Sequence, residues 1–340
     1  MSKDWKKIKE IAKKKLSGIC DVCDFCDGVR CRGKVPGIGG VGTGEGFINN
    51  VKKLREIKIK PRYIHGKKEI DISFNFLGMK FSTPILVAPI TGAEENLGGV
   101  LSEEELAEYL ILGAWEAGSF GFSGDGDIEE KFTSGLKAIE KACGCGIPII
   151  KPRSQDKIKE QIRQVEEIGA MAVGIDIDSL ALITMTEKNQ DVVSKTKEEI
   201  FDLVQYSKLP FIIKGILSLE DALDALSCGV SGIIVSNHGG RISDALPSTV
   251  EVLKDIAKEL KGKITIFADG GVRSGFDVFK YIALGADAVL VGRPMIIAAV
   301  GGKIEGVKLL IEKYSDELKK AMLITGCENL SEISSSKLIY

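Results

Sequence analysis

From Pro84 onward the chain alternates short, almost unbroken apolar runs with longer stretches whose apolar residues return every three or four positions. The first pattern is that of strands buried on both faces, the second that of helices carrying one apolar stripe. The runs predict strands over Pro84–Ala88, Ser119–Ser123, Pro148–Lys151, Ala172–Ile177, Pro210–Lys214, Gly232–Ser236, Ile264–Ala268 and Ala288–Val291. Amphipathic helices are predicted between them, for example over Glu103–Glu116, Ile158–Ile168, Leu219–Leu226 and Gly275–Leu284. Eight strand-then-helix units fit one closed parallel barrel, a (β/α)8 TIM barrel. An open doubly wound sheet is the alternative, but it needs a dinucleotide fingerprint after an early strand, and the sequence has none there.

Upstream the pattern is different. Lys3 to Leu16 is lysine-rich, with Trp5, Ile8, Ile11 and Leu16 at near-helical spacing. This predicts a short helix packing one stripe on the body, with a helix lying on a membrane surface as the alternative. Cys20, Cys23, Cys26 and Cys31 follow, then the glycine-rich stretch Gly37 to Gly46. Residues 1–50 are therefore read as an N-terminal Cys- and Gly-rich extension, and residues 51–340 as the barrel.

Composition narrows the function classes. A hydrophobic fraction of 44% and a charged fraction of 28% are those of a soluble globular protein. A net charge of −2, without a basic stripe, gives no reason to expect nucleic acid. No apolar run reaches the roughly 18 residues of a membrane span, and the N-terminus lacks the apolar core of a signal peptide. A cytoplasmic protein with no membrane partner is expected, its eight cysteines reduced or metal-bound. Four thiols within one short segment, at a spacing close to a ferredoxin-type run but without the following proline, point to an iron–sulfur cluster or zinc. Free thiols are the alternative. The glycine-rich stretch lacks the lysine of a P-loop, so a flexible loop is expected rather than a phosphate cradle.

Chemistry in a parallel barrel sits at the carboxyl ends of strands. Ser236-Asn237-His238-Gly239-Gly240-Arg241 follows the sixth predicted strand. An imidazole there can accept a proton near neutral pH, and a guanidinium beside it can hold a carboxylate with two hydrogen bonds. Lys214 ends the fifth strand, where it can form a Schiff base, hold negative charge, or pair with Asp176 or Asp178. Asp269-Gly270-Gly271-Val272-Arg273 and Gly292-Arg293-Pro294 follow the last two strands, the usual place of a barrel phosphate site. Ser123, Lys151 and Asp176, at the ends of the second, third and fourth strands, are further cofactor candidates. His65 lies in what reads as a solvated turn and is given no role.

The stretches Pro210 to Ile216, Ser236 to Arg241, Asp269 to Gly275, Val291 to Pro294 and Thr325 to Ile333 resemble the FMN-dependent α-hydroxy-acid dehydrogenases and oxidases, the family of glycolate and lactate oxidases. The likeness is dense from about Leu209 onward and weaker at Pro84 to Pro89 and Lys60-Pro61-Arg62. The first forty or so residues do not match. The resemblance implies FMN as cofactor and oxidation of a small 2-hydroxy acid to the 2-oxo acid. It places the backbone of Ala88, Pro89 and Ile90 against the flavin ring, Lys214 beside the ring's pyrimidine edge and Ser236 in hydrogen bonding to the cofactor. Asp269, Gly270, Gly271, Arg273, Gly292 and Arg293 would hold ribitol and phosphate. His238 would be the base and Arg241 the carboxylate clamp. A homo-oligomer, a tetramer, is also implied.

The sequence departs from the family at the pocket. No arginine follows the fourth strand, where the family carries a second substrate arginine. Lys151-Pro152-Arg153 stands where the family has glutamine and tyrosine, and the early substrate tyrosine is absent. Arg153 is expected to supply the missing guanidinium. Two other readings stay open: an FMN-type isopentenyl-diphosphate isomerase-like barrel, in which Lys151 and Arg153 serve a diphosphate, and a flavin-binding protein without turnover.

Overall fold

A computed structural model describes residues 3–340 of the chain. Its centre is a closed barrel of eight parallel strands. They are β1 (Ile85–Val87), β2 (Gly121–Ser123), β3 (Gly146–Ile150), β4 (Val173–Asp176), β5 (Phe211–Ile216), β6 (Gly232–Val235), β7 (Thr265–Ala268) and β8 (Ala288–Val291). Neighbours in the barrel are neighbours in the chain, and β8 closes on β1 through Val289 opposite Ile85. All eight predicted strands are present in order. The third starts earlier than expected, at Gly146, which pairs with Gly121. The fifth runs past Lys214 to Ile216, with a register shift between the two.

The barrel interior is filled from the amino-terminal end of the strands. A hairpin, Phe74–Phe76 with Met79–Phe81, presses its rings onto Phe120, Phe122 and Phe267. Phe76 meets Phe267 edge-on at 5.3 Å between ring centroids. Aromatic plugging at that end leaves the carboxyl ends of the strands as the open mouth. The helices outside bury one apolar stripe each against the strands.

The amino-terminal residues are part of this body. Helix α1 (Lys3–Lys15) packs on the long carboxyl-terminal helix Arg293–Thr325. Its buried stripe is Trp5, Ile8, Ala12 and Leu16, with Ile11 only half-buried. The approach is close: a Cβ on Gly301 would collide with the Ile8 carbonyl oxygen. The packed stripe overturns the membrane-surface alternative for this helix. Helix α2 (Glu45–Glu56) spans residue 50, where the extension is expected to give way to the barrel, and buries Phe47, Val51 and Leu54. Residues 16–44, between the two helices, contain no regular strand or α-helix, and they lie over the barrel mouth. Among the described residues no helix is long and apolar enough to cross a membrane.

Candidate active site

The carboxyl ends of β3, β4 and β5 bring three predicted residues into one ion-paired row. Lys151 donates to Asp176 Oδ2 at 2.9 Å, and Lys214 donates to Asp176 Oδ1 at 2.8 Å. The barrel register places Asp176 directly opposite Lys214. All three side chains are buried. Burial alone would push the Asp176 carboxyl up, but Lys151 and Lys214 hold it well below the usual carboxylate range. Burial likewise disfavours the Lys214 ammonium, and Asp176, Asp178 and Asp269 outweigh it and raise its pKa. A lysine held so firmly charged is not a Schiff-base nucleophile, which must be neutral to attack. It is a fixed cation.

His238 completes this end of the cavity. Its Nδ1 lies 3.0 Å from Asp178 Oδ1 and 3.2 Å from Lys214 Nζ. With the Nδ1 proton donated to Asp178, the lone pair stays on Nε2, free to accept a proton. Burial, and then Lys214, lower the imidazole pKa below its ordinary 6.5, against the pull of Asp178 and Asp176. The ring is therefore neutral, and basic, at neutral pH. Its backbone is left-handed, with φ of 56°, an uncommon state for a non-glycine residue that is typical of functional sites. The next two residues, Gly239 and Gly240, share it. At Gly240 a side chain is impossible, because a Cβ would run into the backbone of Gly46 and Phe47.

The rest of the cavity lining includes three arginines without a carboxylate, Arg241 among them only three residues beyond His238. Arg241 donates to the Gly37 carbonyl and, at 3.0 Å, to Asn96 Oδ1. Arg293 donates to the carbonyls of Ile38 (2.6 Å), Gly39 (2.7 Å) and Gly239 (2.9 Å), and lies 3.7 Å from the centroid of the Phe47 ring. Arg273 reaches the Cys26 carbonyl at 2.8 Å. Burial lowers the Arg241 pKa to about 10. For Arg293, burial and then the neighbouring Arg241 and Arg273 bring it to about 9. Partly buried cations clustered without anions are costly, so this geometry calls for an anionic ligand. The glycine-rich stretch is thus not a loose loop. Its Gly37, Ile38 and Gly39 carbonyls accept from Arg241 and Arg293, and its Val41 amide bonds the Gly240 carbonyl.

These groups line a cavity of about 190 Å³. It is walled by Ala88, Pro89 and Ile90 on one side and by Asp269, Gly270, Gly271 and Gly292 on another, with Lys151, Asp176, Lys214, His238, Arg241, Arg273 and Arg293 reaching in. Asp269 has one buried carboxylate oxygen, Oδ1, without a partner, and burial raises its pKa to about 6 despite Lys214 and Ser236. A flat apolar wall, an orphaned acceptor, glycines at the strand ends and unpaired arginines fit a phosphorylated, ring-bearing cofactor such as FMN.

Three predicted residues do not line this cavity. Ser123 faces outward, because alternation along β2 turns Phe122 into the barrel and Ser123 toward the surrounding helices, where it meets Gly135. Ser236 is buried, donating to Asp269 Oδ2 at 2.9 Å and accepting from the His238 amide at 3.1 Å, so it braces the site from behind. Arg153 is bound by the Asp125 carboxylate and the Gly126 carbonyl, and so does not supply the missing substrate guanidinium.

The comparisons with known proteins agree with this geometry. The sequence profile described as FMN-dependent dehydrogenase matches residues 38–197 and 183–340. The chain belongs to the FMN-dependent dehydrogenase family. Human 2-hydroxyacid oxidase 1 is 28% identical over 342 residues, covering 87% of this chain and 89% of the relative. The peroxisomal (S)-2-hydroxyacid oxidase GLO4 of Arabidopsis thaliana is 30% identical, covering 84% and 85%. A structure of mandelate oxidase with benzoyl-formic acid superposes with a TM-score of 0.78 at 26% identity, covering 98% of this chain and 97% of that one.

Within an FMN-dependent dehydrogenase, four features of this site were not assigned a role from sequence. Asp178 was visible only as a spare carboxylate and is the partner of His238. Asn96 and Phe47, remote in the chain, contact the arginines. Asp125 binds Arg153 and accepts from the Lys151 amide at 3.0 Å. Leu182, Thr184 and Met185 line the cavity after β4, where the family's second arginine is missing. All four cysteines of the extension are half-buried and unpaired, around a second cavity.

Proposed function

We propose that this chain oxidises a small 2-hydroxy acid to the 2-oxo acid, with FMN as cofactor. The observation that carries the reading is His238, neutral and Asp178-bound, on the same cavity as the carboxylate-free Arg241. The ring would rest on Ala88, Pro89 and Ile90, and its phosphate would be held by Gly270, Gly271, Gly292, Arg293 and Arg273. When bound, FMN supplies the acceptor for the substrate's hydride. The rest of the chemistry falls to side chains. Arg241 has N–H groups left over from Gly37 and Asn96, and these would hold the substrate carboxylate. His238 Nε2 would take the hydroxyl proton, and Asp178 would stabilise the imidazolium that forms. Lys214 is a buried, fixed cation that favours the state in which negative charge has been transferred into the cavity.

The isomerase-type alternative is less well supported. Lys151 and Arg153, the cations it would use for a diphosphate, are both tied up by carboxylates. Adding a 2-hydroxy acid to the anaerobic holoprotein is the test. Bleaching of the flavin supports the proposal, whereas bound flavin that no 2-hydroxy acid reduces would sink it in favour of binding without turnover. A cytoplasmic setting and a homo-oligomeric state belong to the same proposal, and sedimentation checks the second. To it we add a metal at Cys20, Cys23, Cys26 and Cys31, with iron–sulfur and zinc as candidates.

A further inference from the structure

We propose that the four amino-terminal cysteines ligate an iron–sulfur cluster rather than zinc or nothing, and that the cluster is the internal support of residues 16–44. This inference stands apart from the flavin chemistry, since it rests on a different cavity.

The cavity is the first observation. All four thiols, Cys20, Cys23, Cys26 and Cys31, line one space of about 480 Å³ between the extension and the amino-terminal end of the helix that starts at Arg293. The pocket is larger than the flavin cavity and has no place in the hydroxy-acid chemistry.

Sulfur spacing is the second. Four thiolates around one zinc, at bonds of about 2.3 Å in a tetrahedron, sit roughly 3.8 Å from one another. Among the described residues no three of these thiols lie within 4.8 Å of one another; the only donor set that compact is Asp176, Asp178 and His238. A cluster spreads its thiolates, because each binds a different corner iron. Sulfurs that converge on a common space, yet stand wider than one ion allows, match the cluster.

Charge is the third. Four thiolates bring more negative charge than a cluster core neutralises, so such a site is anionic and needs cations. Eight lysines and arginines line the cavity against four aspartates. Arg273 already points a guanidinium nitrogen at Cys26 Sγ, 3.5 Å away.

The fourth is the backbone. Residues 16–44 have no helix or strand of their own, an unusually long irregular stretch for a compact domain. Few large apolar side chains anchor it; Leu16, Val22 and Ile38 are buried, whereas Phe25 and Val29 are exposed. Yet the carbonyls of Cys26, Ile38 and Gly39 hold Arg273 and Arg293. A cluster crosslinking four points of this segment gives it the rigidity that its apolar content does not.

The test is anaerobic purification of the full-length protein, with iron, acid-labile sulfide, zinc and flavin measured on the same sample. About four irons and as many sulfides per chain are expected for a four-iron cluster held by four cysteine thiolates, with broad absorbance that dithionite bleaches. Cys23→Ser should lose most of the iron, while the exposed Cys143→Ser should keep it. One zinc per chain overturns the proposal, as does the absence of both metals with all four thiols open to alkylation. Flavin is read separately: flavin without iron refutes only the cluster, and iron without flavin refutes only the FMN reading.

Discussion

Lys151 and Lys214 face Asp176 and Asp178, with a neutral His238 between them, and form the balanced end of the cavity lining. Arg241, Arg273 and Arg293, the arginine end, face carbonyls, an amide oxygen and a thiol, and no carboxylate. Lys151, Asp176 and Lys214 are buried and the arginines partly buried, so the two sets differ chiefly in whether their charges are paired. Buried charges that balance one another are fixed in place and need nothing further. Buried like charges, satisfied only by dipoles, leave a demand for an anion. The first arrangement suits proton and charge management during a reaction. The second suits holding a phosphate and a carboxylate.

The largest effect is expected at the balanced end. His238→Ala should slow flavin reduction by about 10²–10⁴-fold, the usual worth of a positioned base. FMN content should be unchanged, because the proposed phosphate contacts are made by other residues, Gly270, Gly271, Gly292, Arg273 and Arg293. Loss of flavin with normal reduction in the remaining holoprotein would reverse the assignment.

At the arginine end the readout is binding. A charge-assisted hydrogen bond is worth on the order of 1.5–3 kcal/mol, so Arg293→Ala should weaken FMN binding roughly tenfold to a hundredfold. Riboflavin, which lacks the phosphate, should bind almost as before. Arg273→Ala should do less, since that guanidinium is turned toward Cys26. Equal losses for FMN and riboflavin would mean that the arginines shape the segment and do not read phosphate.

Proton affinity at His238 gives a finer comparison. The imidazole must be neutral to act as base, and its pKa lies below 6.5 because of burial and Lys214. Flavin reduction should therefore fall only as pH drops through that lowered value, and should reach a plateau above it. Asp178 raises the imidazole pKa, so Asp178→Asn should move the acid limb to still lower pH while slowing the plateau rate. An acid limb that stays in place would show that Asp178 is not the partner that sets the base.

The two ends also differ in how far the sequence reveals them. Apolar runs marked all eight strands, and strand ends marked Lys151, Asp176, Lys214 and His238, because period and position carry that information locally. The partnership of His238 with Asp178 was not marked, since the register of β4 against β5 and β6 brings them together. The arginines were visible as residues, but their partners were not. Gly37, Ile38 and Gly39 lie some 200 or more residues away in the chain, and a carbonyl has no sequence signature. Ser123 was misplaced because a three-residue strand gives too short an alternation to tell which side chain points inward. Arg153 was misread because its partner, Asp125, lies 28 residues upstream in another loop.

The smallest effect separates support from contact. Family likeness puts the Ser236 hydroxyl on the cofactor, whereas the structure puts it between Asp269 and the His238 amide. If the structure is right, Ser236→Ala removes two hydrogen bonds behind the cavity wall, a loss on the order of 1–3 kcal/mol. The melting temperature should fall by a few degrees, as expected for a loss of that size. Asp269, whose Oδ1 is already without a partner, would lose a bond that stabilises its charged form, so its pKa should rise above the present value of about 6. FMN affinity should stay within about twofold, well short of the tenfold that 1.4 kcal/mol represents. A tenfold weaker FMN complex with an unchanged melting temperature would place the hydroxyl on the cofactor after all. That result would make the wall behind His238 part of the binding surface, and it would extend the balanced end of the cavity toward β7.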